Sequence, residues 1–292
     1  MAKSKNKIVE QGLTSPALRA RRIGCYIFLV FITIICLFSF WMLLINATRP
    51  HSKILQGFAF FPGKSLISNI KTLAGDMEVP VFRGLLNSFI IGAFSAVLSV
   101  YFSALTAFGI HAYKFRGRNT VFMIILLIMT VPQQVSALGF VDMMRRVGFY
   151  NTYVPLIVPA VAAPVVFFFM KQYMESALPV EIVEASRIDG AGEFRTFNEI
   201  VLPIMKPAMA VQAIFTFVTS WNNYFIPTLI IEDRNKKTLP ILIYALRAKE
   251  LARLDWGEVY VAIAFSIFPV VIVYLILSKY IIQGVALGSV KG

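Results

Sequence analysis

Charge and cysteine are both scarce in this sequence. Only 15% of its 292 residues are Asp, Glu, Lys or Arg and 58% are hydrophobic, whereas soluble globular domains carry about 25% charged residues. The two cysteines, Cys25 and Cys36, lie in one apolar run about three helical turns apart, too far for a disulfide, which needs Cα atoms within about 7 Å. These shortages leave no disulfide framework or metal-binding motif, and they indicate a membrane protein.

A concentrated basic domain is also missing, although the formal net charge is +13. The Lys and Arg residues lie in short loops between apolar runs, with no interleaved aromatic patch. We therefore interpret them as topology signals that face lipid phosphates, and we expect membrane lipid but no nucleic acid as a partner.

A phosphate-binding loop is absent as well. The segment 57–65, GFAFFPGKS, looks like one, but five residues separate Gly57 from Gly63 where the pattern needs four. No buried strand precedes it. We expect an outer loop here, and no nucleotide site, catalytic residue, cofactor or metal in this chain.

Six apolar stretches are long enough to cross a bilayer as helices, which takes about 20 residues each. The predicted spans are residues 23–45, 85–111, 121–142, 153–170, 208–231 and 259–280. The sequence thus predicts an all-α, polytopic membrane protein. It has an N-terminal segment 1–22, a transmembrane domain 23–292, a polar loop 171–207 between the fourth and fifth spans, and a C-terminal tail 281–292. Pro132 and the prolines of the fourth span predict kinks.

The orientation of the chain in the membrane follows from the even number of spans and from the basic N-terminal segment. Both termini lie on one side, and the Lys and Arg residues of segment 1–22 place that side in the cytoplasm. The first apolar run is too long for a signal peptide and no cleavage motif follows it, so we expect an uncleaved span.

Ionisable residues are missing from the centres of all six predicted spans. This argues against a proton-driven carrier and an intramembrane metalloenzyme. The spans contain neutral amides instead: Asn87, Gln133, Gln134, Asn222 and Asn223. Such groups can hydrogen-bond an uncharged polar solute, or they can simply hold helices together.

Small residues recur at four-residue intervals in the second span. Ser95, Ser99, Ser103 and Ala107 form one such row. Rows of this kind let helices approach closely in lipid, so we expect this helix to pack against protein.

The polar loop 171–207 predicts two short helices. Pro179 suits a first helical turn, and Ile182, Ala185 and Ile188 predict an apolar stripe along the first helix. Gly190 supplies a stop of the left-handed kind that helix C-termini favour.

The second helix of the loop has its own predicted stripe, made of Phe194, Phe197, Ile200 and Val201. We expect Pro203 and Pro207 to end this helix just before the fifth span. Short helices are marginal alone in water, so each needs a surface, either the rim of its own bundle or a groove on a soluble partner.

The same loop closely resembles the EAA loop of ABC-importer permeases. That motif reads E-A-A, three residues, G, then nine residues to I-x-L-P, and Gly190 and the segment 200–203 stand at this spacing, with Ser186 in place of the second alanine. The matching residues are Glu184, Ala185, Ser186, Arg187, Ile188, Asp189, Gly190 and Ala191.

Further matches point to the carbohydrate branch of these permeases and to its maltose-permease G-type subunits. They lie in order along the chain, at 87–88, 115–118, 131–134, 221–223, 255–257, 283–284 and 290–292. The resemblance implies a multi-pass subunit of a bacterial inner membrane, in which residues 184–191 form a coupling helix that docks on a cytoplasmic ATPase.

The resemblance also implies the partners. A second, different permease would share the pathway, a dimer of ABC ATPases would bind ATP and Mg²⁺, and an extracellular or periplasmic solute-binding protein would meet the outer segment 232–258. The tail residues Gln283, Lys291 and Gly292 would enter the ATPase interface.

The function expected from the resemblance is ATP-driven import of a sugar or oligosaccharide, with Gln133, Gln134, Asn222 and Asn223 as candidates for the substrate pathway. One alternative is a self-contained secondary carrier for a neutral polar solute, which would transport without ATP. Another is a scaffold or sensor that transports nothing.

Overall fold

The computed structural model describes residues 16–250 and 253–288, with side chains for 20–250 and 253–281. These residues form helices, turns and loops, and no strand occurs among them. They divide into two compact units, one made of residues 16–70 and 255–261 and the other of residues 71–250, 253–254 and 262–288. The fold is therefore all-α, as the sequence predicts.

The first unit contains a long apolar helix and a small loop system. The helices are α1 (Pro16–Ala47), α2 (His51–Leu55) and the first half of α3 (Leu66–Gly75). Arg49, 7% exposed, donates hydrogen bonds to Asn46 Oδ1 and to the Gly57 carbonyl at 3.0 and 2.9 Å. Arg49 therefore holds the start of the segment 57–65, which resembles a phosphate-binding loop, close to the end of α1.

The second unit is a helical bundle with one long central helix. Its elements are α4 (Val81–Ala112), α5 (Arg118–Ile128), α6 (Gln133–Arg146), α7 (Val154–Ile157), a 3-10 turn (Val158–Val161), α8 (Pro164–Ala177), α9 (Val180–Ile188), α10 (Glu193–Arg195), a π-helical turn (Thr196–Val201), α11 (Leu202–Trp221), α12 (Phe225–Ile230), a second 3-10 turn (Arg234–Lys236) and α13 (Leu239–Arg247). The last helix, α14 (Trp256–Gly288), contributes residues to both units.

Helix α4 packs against α8 and α11 through its small residues. Ser95, Ser99, Ser103 and Ala107 are all at most 3% exposed. A Cβ on Gly92 would come within 3.0 Å of the Phe217 ring, which leaves no spare room at this crossing. The predicted close packing of the second span is confirmed, and its partners are helices of the same chain.

One of the amides in the predicted spans holds backbone together. Asn87 on α4 donates to the carbonyls of Asn235 and Lys237, both at 2.9 Å, and the neighbouring Ser88 hydroxyl accepts from the Leu239 amide at 2.8 Å. These bonds fasten the start of α13 to α4, so Asn87 is a structural residue.

The predicted kinks coincide with helix breaks. The third predicted span consists of α5 and α6, which meet at a 94° bend with Pro132 at the N-cap of α6. The fourth is interrupted by the 3-10 turn and resumes at Pro164. Among the described residues, five helices are long and apolar enough to cross a membrane, or six if the bent pair is one span.

The prediction for the end of the polar loop is wrong. Pro203 and Pro207 do not end a short helix, because α10, the π-helical turn and α11 continue without a break from Glu193 to Trp221. The π-helical turn lies directly before Pro203, and such a widened turn leaves room for a proline ring that would clash in a regular helix.

Two predicted span ends also need correction. The fifth span was placed at 208–231, but α11 ends at Trp221, where Asn222 and Asn223 leave the helix; asparagine favours such ends because its side chain competes for backbone hydrogen bonds. The fourth was ended at 170, but α8 continues to Ala177.

Candidate functional site

The first helix predicted in the polar loop is observed as α9, and its C-terminus has the geometry of a Schellman motif. Gly190 has φ +79°, its amide donates to the Arg187 carbonyl, and the Ala191 amide donates to the Ser186 carbonyl, both at 3.0 Å. A Cβ on Gly190 would meet nothing within 4 Å. Glycine is therefore favoured here by backbone conformation and not by crowding.

The buried face of α9 differs from the predicted stripe. Val183 and Ser186 are 0% and 4% exposed, whereas Ile182 and Ile188 are 39% and 86% exposed, and Ala185 is exposed as well. Of the two surfaces that the sequence leaves open for the predicted stripe, the rim of its own bundle is therefore not the one that covers Ile182, Ala185 and Ile188.

Ser186 tolerates burial because its hydroxyl is bonded. It donates a hydrogen bond to the Val183 carbonyl at 2.8 Å and can accept one from the Thr196 hydroxyl at 3.0 Å. The serine that replaces the second alanine of the motif thus links α9 to the π-helical turn.

The second predicted stripe is split in the same way. Phe197 and Val201 are fully buried against α4 and α8, but Phe194 is 73% exposed. Ile188 and Phe194 therefore flank the Gly190 turn as exposed apolar side chains. We call Ile182, Ile188 and Phe194 the outer face of the loop.

The charged residues around this outer face are only partly paired. Arg187 pairs with Glu193 through two hydrogen bonds of 2.8 and 3.4 Å, and Arg195 pairs with Glu199 at 2.8 Å. Glu184 has no ion pair within the described part of the chain, because Arg187 and Arg195 pair with other glutamates.

The end of α4 holds the loop at both ends of α9. Before α9, His111 Nε2 lies 2.9 Å from the Leu178 carbonyl. After it, the Arg187 guanidinium lies 5.0 Å from the centre of the Tyr113 ring, and the Tyr113 hydroxyl bonds to Glu193. We call Tyr113, Arg187 and Glu193 the clamp.

The clamp keeps its charges over the physiological range. Burial, followed by the Glu193 carboxylate, raises the pKa of Tyr113, so its phenol stays protonated. The hydrogen bond to Glu193 raises the pKa of Arg187. The arginine, the carboxylate and the phenol therefore fix the turn after α9 to the end of α4.

The residues predicted for a substrate pathway lie in different places. Gln133 and Gln134 begin α6 at the 94° bend and are exposed. Asn222, at the end of α11, lines a cavity of about 360 Å³. Neither glutamine nor Asn223 belongs to its walls, so of the four candidates the structure places only Asn222 in this cavity.

This cavity has walls that sequence reasoning missed. They come from the end of α11, from α13 and from α14, and consist of Trp221, Asn222, Tyr224, Leu239, Pro240, Ile243, Tyr244, Arg247, Ile263 and Ser266. The Tyr224 and Tyr244 rings meet at 5.4 Å between centroids. The one available signal in the sequence is the apolar run 239–246, which ends in Arg247 and by itself does not predict a cavity.

The predicted contact residues of the tail lie outside what can be described. Lys291 and Gly292 are outside the described residues, as is the side chain of Gln283. The backbone of α14 runs to Gly288.

A family model for binding-protein-dependent transport system inner membrane components matches residues 99–287. The chain is 31% identical to the arabinooligosaccharides transport system permease protein AraQ of Bacillus subtilis (strain 168), over 95% of this chain and 99% of the relative. It is 29% identical to the sn-glycerol-3-phosphate transport system permease protein UgpE of Yersinia pestis, over 91% and 96% respectively.

A solved structure shares the fold. One chain of a bacterial ABC transporter involved in the import of the acidic polysaccharide alginate superposes with a TM-score of 0.78 at 22% identity, over 91% of this chain and 98% of that one. The matched region of the family model includes α8 to α13 completely, and with them the loop, the clamp residues on either side and the cavity.

Proposed function

This chain belongs to the family of binding-protein-dependent transport system inner membrane components, and on that premise we propose that it is one of two different permease subunits of an ATP-driven importer for a sugar or oligosaccharide. Its helices form half of the translocation pathway, and it carries out no covalent chemistry. The relatives AraQ and UgpE, whose names specify arabinooligosaccharides and glycerol phosphate, support a polyol or sugar as the solute.

The outer face of the loop carries this proposal. Exposed apolar side chains on a short, rigid helix are typical of a surface that docks into a protein groove. Ile188, 86% exposed, is a strong example, and the unpaired Glu184 next to it offers a charge to a partner. We assign residues 184–191 to contact with an ABC ATPase, which binds ATP and Mg²⁺ itself.

The loop is connected to the bundle in a way that suits force transmission. Val183 and Ser186 anchor α9 to the π-helical turn, which continues into α11 without a break. His111 and the clamp anchor it to α4. Closure of the ATPases would move α9, and both long helices would follow, so that access alternates between the two sides of the membrane.

The remaining partners follow from the same assignment. The loop faces the cytoplasm together with both termini, and the tail with Gln283, Lys291 and Gly292 contacts the ATPase dimer. On the opposite side, segment 232–258 meets a solute-binding protein. Gln133, Gln134, Asn222 and Asn223 line the shared pathway, with Asn222 supported by its place in a cavity.

Co-purification from the native membrane tests the proposal. An ABC ATPase and a second permease should accompany the wild type in mild detergent, identified by mass spectrometry. Gly190→Asp should lose the ATPase, because a side chain at φ +79° strains the turn. Gly148→Asp is the matched control, since Gly148 has the same φ and equally free space outside the loop.

Two outcomes would contradict the proposal. One is an ATPase that stays bound to Gly190→Asp as firmly as to Gly148→Asp. The other is a chain that purifies alone and moves solute into vesicles without ATP, which would establish a self-contained secondary carrier instead.

A further inference from the structure

The cavity at the end of α11 contains polar groups that bond to nothing within the described part of the chain. The side-chain amide of Asn222, the Tyr224 and Tyr244 hydroxyls and the Arg247 guanidinium belong to exposed residues and have no hydrogen-bond or ion-pair partner there. By contrast, Asn87 on α4 makes two hydrogen bonds of 2.9 Å to backbone carbonyls. Such groups gathered around one cavity are available to a ligand.

Two tyrosine rings give the cavity an aromatic wall. Tyr224 and Tyr244 are 37% and 60% exposed and lie at 49° to each other, so their faces remain open. Beneath them Trp221 is only 2% exposed and stacks on Phe217 with centroids 5.6 Å apart. Trp221 therefore supports the wall. Aromatic faces with hydroxyl tips suit the C–H faces and hydroxyls of a sugar ring.

The charge of the cavity is positive. Arg247 is the one charged residue in its walls, and no carboxylate is among them. A guanidinium is always charged and its planar fork matches carboxylate or phosphate oxygens. The sequence favoured a neutral solute because the span centres lack charge, but Arg247 ends α13, outside the predicted spans.

The size and the place of the cavity suit a small solute unit. About 360 Å³ is at the lower end of the range of about 300–1,000 Å³ for ligand pockets. The continuous helical segment Glu193–Trp221 places the coupling loop at its start and the cavity at its end, about 43 Å apart along a helix of this length. The cavity is therefore remote from the ATPase surface.

We propose that this cavity is a binding subsite for an acidic carbohydrate unit. The ring of the sugar stacks on Tyr224 and Tyr244, its hydroxyls bond to Asn222, and its carboxylate or phosphate pairs with Arg247. This deepens the proposed function, on which it rests, by assigning a substrate class to the end of the pathway opposite the coupling loop.

Equilibrium binding to the purified full-length chain tests this subsite. Tritiated glucuronate is measured by scintillation proximity, with unlabelled glucuronate, glucose 6-phosphate and glucose as competitors. Glucuronate or glucose 6-phosphate should compete about tenfold better than glucose, as expected for one charge-assisted pair. The stronger of these two competitors shows whether the site prefers a carboxylate or a phosphate.

Three variants separate the contributions. Arg247→Gln should abolish the preference for acidic sugars, Arg247→Lys should retain part of it, and Tyr244→Leu should weaken competition by all three sugars. Arg253→Gln is the control, because Arg253 is an exposed arginine outside the cavity walls. Gel filtration and circular dichroism establish that each variant is folded.

Several outcomes would overturn the subsite. They are the absence of displaceable glucuronate binding, an undiminished preference in Arg247→Gln, and phosphatidylglycerol that co-purifies with the wild type but not with Arg247→Gln while no sugar binds. The last would assign the cavity to a lipid headgroup. None of these measurements needs an ATPase, so failure here is distinct from failure of the co-purification that tests the proposed function.

Discussion

The two ends of the Glu193–Trp221 helical segment expose different kinds of side chain. At its start, Ile188 and Phe194 present apolar surface beside an unpaired carboxylate. At its end, Asn222 and Arg247 present unpaired polar groups around a cavity. Exposed apolar surface gains free energy by burial against another macromolecule, whereas exposed polar groups around a cavity can exchange water for the hydrogen bonds of a small polar ligand. We therefore propose that the same helix connects an end that docks on a protein to an end that contacts the solute.

The largest effect should come from a charge on the docking end. Ile188→Asp removes an apolar side chain from the contact with the ATPase and buries an uncompensated carboxylate there. We expect loss of ATPase co-purification and of ATP-dependent uptake in proteoliposomes. Met77→Asp, at an equally exposed apolar site (84%) outside the loop, should retain both. Equal behaviour of the two variants would show that the outer face docks nothing.

A smaller effect should follow from reversing the clamp. Arg187→Glu and Glu193→Arg each place like charges together after α9, and we expect ATP-dependent uptake to fall about tenfold, the size of one or two charge-assisted bonds. The double exchange should restore most of the uptake, with ATPase co-purification little changed throughout.

The exposed pair Arg195–Glu199 provides the control for the clamp. It has a similar bond length of 2.8 Å, but its two side chains are 69% and 61% exposed, and exposed pairs of this spacing contribute little. Exchanging its charges should leave uptake unchanged. If exchanging the charges of Arg187–Glu193 and of Arg195–Glu199 changed uptake equally, the contact between α9 and α4 would have no role in transport.

The smallest effect should distinguish the two asparagines of the predicted spans. Asn222→Ala should raise the KM for uptake a few-fold, about the loss of one neutral hydrogen bond, without changing thermal stability. Asn87→Ala should lower stability by about 1–3 kcal/mol because it leaves two carbonyls unsatisfied, and it should leave KM unchanged. The measurements are uptake kinetics and thermal unfolding. If Asn87→Ala raised the KM and Asn222→Ala lowered the stability, Asn87 would be the solute contact and Asn222 the structural residue.

The all-α fold, the close packing of α4 and the position of α9 could be predicted from the sequence. Long apolar runs, rows of small residues and a proline followed by a left-handed glycine are local signals, and the packing of the bundle reinforces them. The helix bounds near Pro203 and Trp221 could not be predicted from the sequence. The π-helical turn that accommodates Pro203 depends on packing against residues that are distant in sequence.

The orientation of α9 was beyond local reasoning for a related reason. Amphipathic patterns assume that the most hydrophobic residues face the core, but Ile188 faces outward while Ser186 is buried and hydrogen-bonded to Thr196. This reversal is what the proposed docking of α9 on another protein would require. The cavity was missed because Tyr224 and Arg247 become neighbours only through the return of α13.

Site-specific photo-crosslinking at position 188 tests the central claim most directly. A photoreactive amino acid replaces Ile188 in cells that contain the whole transport system, with position 77 as the control. We predict that position 188 forms an adduct with an ABC ATPase and that the yield of this adduct changes when ATP is added. No such adduct should form at position 77. An adduct with lipid alone at 188, or the same adducts at both positions, would contradict the assignment of α9 as the ATPase-docking helix.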